Sequence, residues 1–328
     1  MTVASTPQLS TGLRIREHEP MSRHTNFRIG GPARYYVEAR TPEDVRAAVD
    51  FARGANASWF VLGGGSNTLV SDVGFDGLVI QTAMRDVRID GARVVAGAGA
   101  ITAAVARQAG DAGLTGFEWA VSLPGTIGGA VRGNAGCFGG EMKDVVEHVR
   151  VFQVASRESP VVSMTNAECV FRYRHSIFKE HPEWIVLEAT LSLRSGDPVA
   201  SRAKMEEYLV RRKTKQPLER PSAGCLFTNV LEHELDEPTL ARLDAVTDGA
   251  WHAVAHDGQI PTGWLVHHVG CAGLRVGNAM ISEKHGNFVI NLGSATAADV
   301  LTLADTVRSR VAETFGITLH EEVQRLGC

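Results

Sequence analysis

The chain has 328 residues, 44% of them apolar and 21% charged, which excludes a disordered chain and is long enough for two or three domains. Lys and Arg number 33 against 37 Asp and Glu, and the net charge of −4 argues against nucleic acid as the main partner. Glycine is 34 of the residues, above the usual ~7%, and it is clustered, marking places where backbone must come close to something. The cysteines are Cys137, Cys169, Cys225, Cys271 and Cys328. Their odd number and the lack of any C-x-x-C pair read as reduced thiols in a cytoplasmic protein. The best candidate membrane span, Val94 to Ala106, is far short of the ~20 residues required. The N-terminus has no apolar h-region, so no signal peptide is expected.

Residues 1–20 read as a polar leader. A first unit over 21–86 starts with a helix capped by Thr41, with Pro42 at its first position and acids in its first turn, ending near Gly54. Trp59–Leu62 and Leu78–Ile80 are short apolar strands, giving a βαβ-like unit with a glycine loop at a strand end. A second unit over 87–196 has strands at Val94–Val95, Val149–Val154 and Trp184–Leu193, and a helix from Ala100 to Ala112 stopped by Gly113. A third unit over 197–328 opens with Asp197 and Pro198 at the head of a helix reaching Lys213. The polar, His-rich stretch 230–262 reads as holding one short helix. A final helix carries Val300, Leu303, Val307, Val311 and Phe315 on one stripe and stops at Gly316, and a closing strand runs from Ile317 to Leu326.

Two glycine-rich loops stand out. Gly63, Gly64, Gly65, Ser66 and Asn67 follow a strand directly, and free N–H groups there suit a pyrophosphate; the bland alternative is a tight turn, for which three glycines after a buried strand are more than is needed. The run is neither G-x-G-x-x-G, since Thr68 stands at the last position, nor a Walker A loop. The second loop is Ser122–Ala130, continuing to Asn134 and Gly136. Close strand–helix packing explains it as well as a ligand does. Two such loops in neighbouring units suit a long ligand laid between domains, such as FAD.

Three further groups carry chemistry or sit as ordinary residues. Arg174, among Tyr173, His175 and Phe178, is either a surface charge or a carboxylate clamp. Cys225 is either a small buried hydrophobe or a proton donor. Glu322 is by default a surface acid. His252 and His256, and the adjacent His267 and His268, do not match H-E-x-x-H or a Cys-bearing ligand spacing, so no metal is expected.

Nine stretches together resemble the UDP-N-acetylenolpyruvoylglucosamine reductase (MurB) family, in family order from about residue 20 to the end. They are Asn26–Pro32, Leu62–Asn67, Ser122–Ala130, Asn134–Gly136, Tyr173–Lys179, Gln216–Pro217, Pro221–Phe227, Ile281–Phe288 and Leu319–Val323. The resemblance implies an α+β protein. Two subdomains would form the FAD-binding fold of the vanillyl-alcohol-oxidase (PCMH) type, and a C-terminal α+β domain would bind substrate. It implies NADPH-dependent reduction of UDP-N-acetylglucosamine enolpyruvate to UDP-N-acetylmuramate in peptidoglycan precursor synthesis, by a cytoplasmic monomer that binds a UDP-sugar and neither nucleic acid nor membrane.

Carried over residue by residue, Arg174 would stabilise charge on the substrate carboxylate and Glu322 would share the proton network. Cys225 would stand where the family often has a proton-donating Ser, and would protonate C2 after hydride from reduced FAD reaches C3. An ordinary thiol is about 97% protonated at pH 7, so the change keeps the role. FAD would be held by Gly63, Gly64, Gly65, Ser66, Asn67, Ser122, Pro124, Gly125, Thr126, Gly128, Gly129, Ala130, Asn134 and Gly136. Substrate would be held by Tyr173, Arg212 and Asn229. Departures from the family pattern are Thr228–Val230 after Phe227, Gln324 where an Arg is common, a longer 230–262 segment, and a connection from Lys179 to Trp184 too short for the Tyr-bearing substrate loop of some members. Rival readings are another FAD-dependent oxidase or dehydrogenase of this fold, or a non-catalytic paralogue that binds FAD or a UDP-sugar.

Overall fold

The computed structural model describes residues 12–154 and 161–328, so the first eleven residues of the expected leader lie outside the described part. The helix Pro42–Gly54 forms where its capping residues predict. Asp44 N donates to Thr41 Oγ1 at 3.1 Å, and the Asp44 carboxylate accepts from Thr41 N at 3.1 Å. Val45, Ala48, Val49 and Ala52 form its buried stripe. It links two strands of a four-stranded sheet ordered Arg16–Pro20, Pro32–Ala39, Phe75–Thr82, Ser58–Leu62. The strand Phe75–Thr82 pairs parallel with both of its neighbours. That arrangement is the βαβ geometry expected from the sequence.

A second sheet is five-stranded and antiparallel, ordered Val161–Thr165, Val146–Gln153, Trp184–Ser192, Arg93–Gly97, Val87–Asp90. Its central strand Trp184–Ser192 buries side chains of both faces, Ile185, Leu187, Ala189 and Leu191 on one and Val186 on the other. The helix Thr102–Asp111 ends before Gly113, and the glycine-rich stretch after it contains the short helix Ile127–Arg132.

Both sheets belong to one packed unit, made of residues 12–19, 32–65, 75–154 and 161–214. The second unit consists of residues 20–31, 66–74 and 215–328. The expected break at 86/87 therefore separates two sheets of one unit, between Thr82 and Val87. Two other expectations need correction. The leader does not extend to residue 20: Leu13 and Ile15 are buried in the core and Arg16–Pro20 is a strand. Only two apolar residues at strand spacing betray it in a polar run. The break at 196/197 is displaced as well, because the helix Pro198–Lys215 packs on the first unit through Ser201 and Met205 as far as Thr214. Its inward stripe is too polar for the sequence to show which unit it covers.

In the second unit, the helix Ala297–Phe315 buries Val300, Leu303, Val307, Val311 and Phe315, and ends at Gly316 with φ +78°. It packs on a three-stranded antiparallel sheet of Arg275–Val276, Ala279–Ile281 and Val289–Asn291. The 230–262 segment holds the helix Glu237–Thr247, capped by Asp236. The closing strand is shorter than expected: only Gln324–Leu326 is a strand, paired parallel with Thr68–Val70. Among the described residues, no helix is long and apolar enough to cross a membrane.

Candidate active site

In the first unit the two glycine loops meet. A Cβ placed on Gly63 would lie 2.7 Å from Thr126 Oγ1, and one on Gly64 would lie 2.9 Å from Gly125 Cα. Side chains at these positions would therefore collide with the second loop. Gln81 fixes the first loop by donating to Gly63 O at 3.2 Å. Thr126 Oγ1 is buried and, among the described residues, has no hydrogen-bond partner. A buried hydroxyl without a partner is costly, and a ligand oxygen or bound donor would satisfy it. These residues fit the phosphate chain of a dinucleotide such as FAD.

The neighbouring glycines divide between the two readings open in the sequence. Gly128 N donates to Ala98 O at 2.9 Å, and a Cβ there would lie 2.8 Å from Ala98 Cβ, so Gly128 serves strand–helix packing. A Cβ placed on Gly129 would have room, meeting Thr126 Oγ1 only at 3.8 Å. Gly125 O accepts from Thr102 N at 3.2 Å. Ala130 is buried. Asn134 is fully buried and its amide is engaged three ways, donating to Glu141 Oε2 (3.1 Å) and Arg172 O (2.9 Å) and accepting from Lys143 N (2.9 Å). It supports the chain just before Arg174.

Arg174 sits at the tip of a turn closed by reciprocal bonds between Arg172 and His175, each 3.0 Å. Its φ of +51° is left-handed, unusual for a residue with a Cβ. Lys179 Nζ donates to Arg174 O at 2.6 Å and so holds the turn. The guanidinium donates to Gly136 O at 3.3 Å and stands 5.1 Å from the centre of the Tyr173 ring. A second guanidinium joins the group: Arg212 donates to Ser122 Oγ at 3.2 Å. Of the run Arg211–Lys215, Arg212 alone is half-buried, in helical register with Ser201, Met205 and Tyr208. Burial pushes the Cys137 thiol up, while Arg212 and Arg174 pull against that shift. The two Arg side chains, Ser122, Gly136 and Cys137 thus form one cationic cluster. The sequence alone assigns no role to Lys179, Gln81 or Cys137: Lys179 lies within the Tyr173–Lys179 motif, and the other two stand in no motif.

In the second unit Cys225 and Glu322 are brought close through the backbone. Glu322 N donates to Leu226 O at 2.9 Å, beside the peptide of Cys225. Cys225 pairs with Phe288 in an isolated bridge. Asn287, 2% exposed, acts as an inserted peptide group: its Oδ1 accepts from Phe227 N at 2.9 Å and its Nδ2 donates to Phe227 O at 2.7 Å. The sequence showed Asn287 only as part of a motif. Asn67 Nδ2 donates to Glu322 O at 3.0 Å. Ser66 and Asn67 belong to this unit, while Gly63, Gly64 and Gly65 belong to the first. Asn229 receives Thr262 N at 3.3 Å and donates to Gln259 Oε1 at 3.2 Å. Next to Glu322, Glu321 is held by Arg308 and by Arg325, whose Nε lies 2.7 Å from Glu321 Oε2.

Residues 33–157 match the family described as FAD binding domain, and residues 216–326 match the UDP-N-acetylenolpyruvoylglucosamine reductase C-terminal domain. The UDP-N-acetylenolpyruvoylglucosamine reductase of Caldanaerobacter subterraneus subsp. tengcongensis is 38% identical over 311 residues, 94% of this chain and 93% of that protein. That of Solibacter usitatus is 35% identical over the full length of both. The crystal structure of the reductase (MurB) from Thermus caldophilus superposes with a TM-score of 0.74 at 32% identity, covering 96% of this chain and 99% of that one. The mixed α+β architecture and the FAD-binding match agree with the fold class expected from the sequence. With its buried Thr126 hydroxyl, its paired glycine loops and relatives that match it end to end, the chain belongs to the UDP-N-acetylenolpyruvoylglucosamine reductase family.

Proposed function

We propose that this protein is an FAD-dependent reductase that converts UDP-N-acetylglucosamine enolpyruvate to UDP-N-acetylmuramate, a step of peptidoglycan precursor synthesis. The observation that carries the residue roles is the bond from Glu322 N to Leu226 O, which ties a carboxylate-bearing residue to the neighbour of a thiol-bearing one. Gly63, Gly64, Gly65, Ser66, Thr126 and Gly129 hold the cofactor. FAD, when bound, would supply the redox chemistry that links NADPH oxidation to reduction of the enol ether at C3. Arg174 faces the charge that develops toward the substrate carboxylate, where a positioned guanidinium acts most strongly. Cys225 gives its proton to C2, and Glu322 orients that proton network. Tyr173, Arg212 and Asn229 bind the UDP-sugar. The enzyme works as a cytoplasmic monomer without nucleic acid; its net charge of −4 fits the last of these.

Stopped-flow absorbance of the flavin tests the proton donor. Cys225→Ser retains turnover. Cys225→Ala keeps reduction by NADPH but slows reoxidation by the enolpyruvyl sugar ~10²–10⁴-fold, the usual worth of a general acid. Reoxidation of Cys225→Ala at the wild-type rate would remove Cys225 from the mechanism.

A further inference from the structure

The Gly63–Asn67 run reads in sequence as one cofactor loop, yet its last residue is engaged elsewhere. Asn67 Nδ2 donates to Glu322 O at 3.0 Å, and Asn67 O accepts from Gln324 N at 3.0 Å. One residue on, Thr68 opens the parallel pairing with Gln324. Glu322 itself lies outside any strand, in the irregular stretch just before Gln324–Leu326. Irregular backbone has no ladder to fix it, so its polar groups need other partners. Here Leu226 takes the Glu322 N–H and Asn67 satisfies the Glu322 carbonyl. Both main-chain groups of Glu322 are thereby held, one beside Cys225 and the other by Asn67.

We propose that Asn67 is a positioning residue for Glu322: its amide stands in for the missing ladder bond and sets where the carboxylate is aimed. The inference rests on the role given to Glu322 in the proposed function. A catalytic group displaced by about 1 Å loses on the order of 10²-fold in rate. Removing the amide donor therefore weakens the step that uses Glu322 and leaves cofactor binding and cofactor reduction alone.

The test uses the flavin-loaded full chain. Asn67→Asp keeps the shape but turns the donor into an acceptor facing the Glu322 carbonyl, and Asn67→Ala removes the group without that repulsion. Both variants are expected to retain flavin absorbance and the wild-type rate of reduction by NADPH. Reoxidation by the enolpyruvyl UDP-sugar slows about 10–100-fold, with an altered pH profile. Glu322→Gln slows the same step, and adding Asn67→Ala to it costs little more, because the two residues act as a unit. Loss of flavin, or slow reduction by NADPH, in both Asn67 variants would overturn the inference and make Asn67 a cofactor ligand. So would full additivity with Glu322→Gln. If Glu322→Gln alone reoxidises normally, the Glu322 role falls and takes the inference with it. If Glu322→Gln is slow while both Asn67 variants behave as wild type, only the inference falls.

Discussion

Glu321 and Glu322 are chemically identical neighbours with different surroundings. Successive side chains in extended backbone point to opposite sides. The Glu321 carboxylate meets Arg308 and Arg325, and the Arg308 guanidinium also lies 5.6 Å from the centre of the Phe227 ring. Glu321 is therefore a tether between the helix Ala297–Phe315 and the final segment, binding two guanidinium groups in a partly buried network. Breaking such a network leaves cations short of a partner, at a cost of roughly 1–3 kcal/mol. Glu321→Gln should lower the unfolding free energy from a denaturant titration by that amount while turnover per folded molecule stays at the wild-type value. Glu322→Gln should do the reverse. Equal activity loss in both would mean that the distinction drawn between them is false. The sequence distinguished the two only through the resemblance, because pairing with Arg308 depends on a helix and a terminal strand coming together, and local spacing carries no trace of that.

Elements whose ends are fixed by local chemistry were legible, and those fixed by distant partners were not. Thr41, Pro42 and Asp44 define a helix start within four residues, and Gly316 defines a stop. The stretch Ile317–Val323 has strand alternation, with Ile317, Leu319 and Val323 buried, so it reads as a strand. It lacks the ladder because its neighbour is the irregular 226–228 segment, which offers single bonds rather than a row. The placement of the helix Pro198–Lys215 was hidden for a similar reason. It rests on Glu118, a buried carboxylate that accepts from Ser201 Oγ (2.7 Å), Thr115 Oγ1 (2.6 Å) and Gly116 N (2.8 Å). Burial raises the Glu118 pKa, but these donors outweigh it and hold the carboxyl below its ordinary range. A depressed native pKa means stability that is present above the unfolded value, about 4.3, and is lost as pH falls through the native one. Glu118→Gln should cost roughly 1–3 kcal/mol at pH 7. It should also flatten the acid limb of the stability curve below about pH 4.3. Urea titrations across pH would show it, and an unchanged acid limb would mean that Glu118 is not the linked group.

Over the whole molecule, sequence similarity and packing divide the chain differently. The matches to known families are continuous stretches, 33–157 and 216–326. The second packed unit is not continuous: it also takes in residues 20–31 and 66–74. Those two insertions are structural parts of its core. Phe27, Ile29 and Leu69 are each at most 2% exposed within it. Asn291 Nδ2 donates to Phe27 O at 3.0 Å, and the Asp72 carboxylate accepts from Ala297 N (2.7 Å) and Ala298 N (3.1 Å) at the start of the long helix. A carboxylate there also complements the helix dipole. A fragment of residues 215–328 alone would lack all of these. Emptying the space of one large buried side chain costs ~2–5 kcal/mol, and three such losses approach the ~5–15 kcal/mol that holds an ordinary domain together. The strand Gln324–Leu326 would also lose its paired neighbour among the described residues, Thr68–Val70, and with it the bond from Asn67 to Glu322. The fragment is therefore expected to unfold without a cooperative transition in urea, followed by circular dichroism, whereas the full chain shows one. A sharp transition in the fragment, with the helix content of the intact unit, would show that 20–31 and 66–74 are dispensable. The dependence of Glu322 on Asn67 would then need no folding role for the segment that carries it.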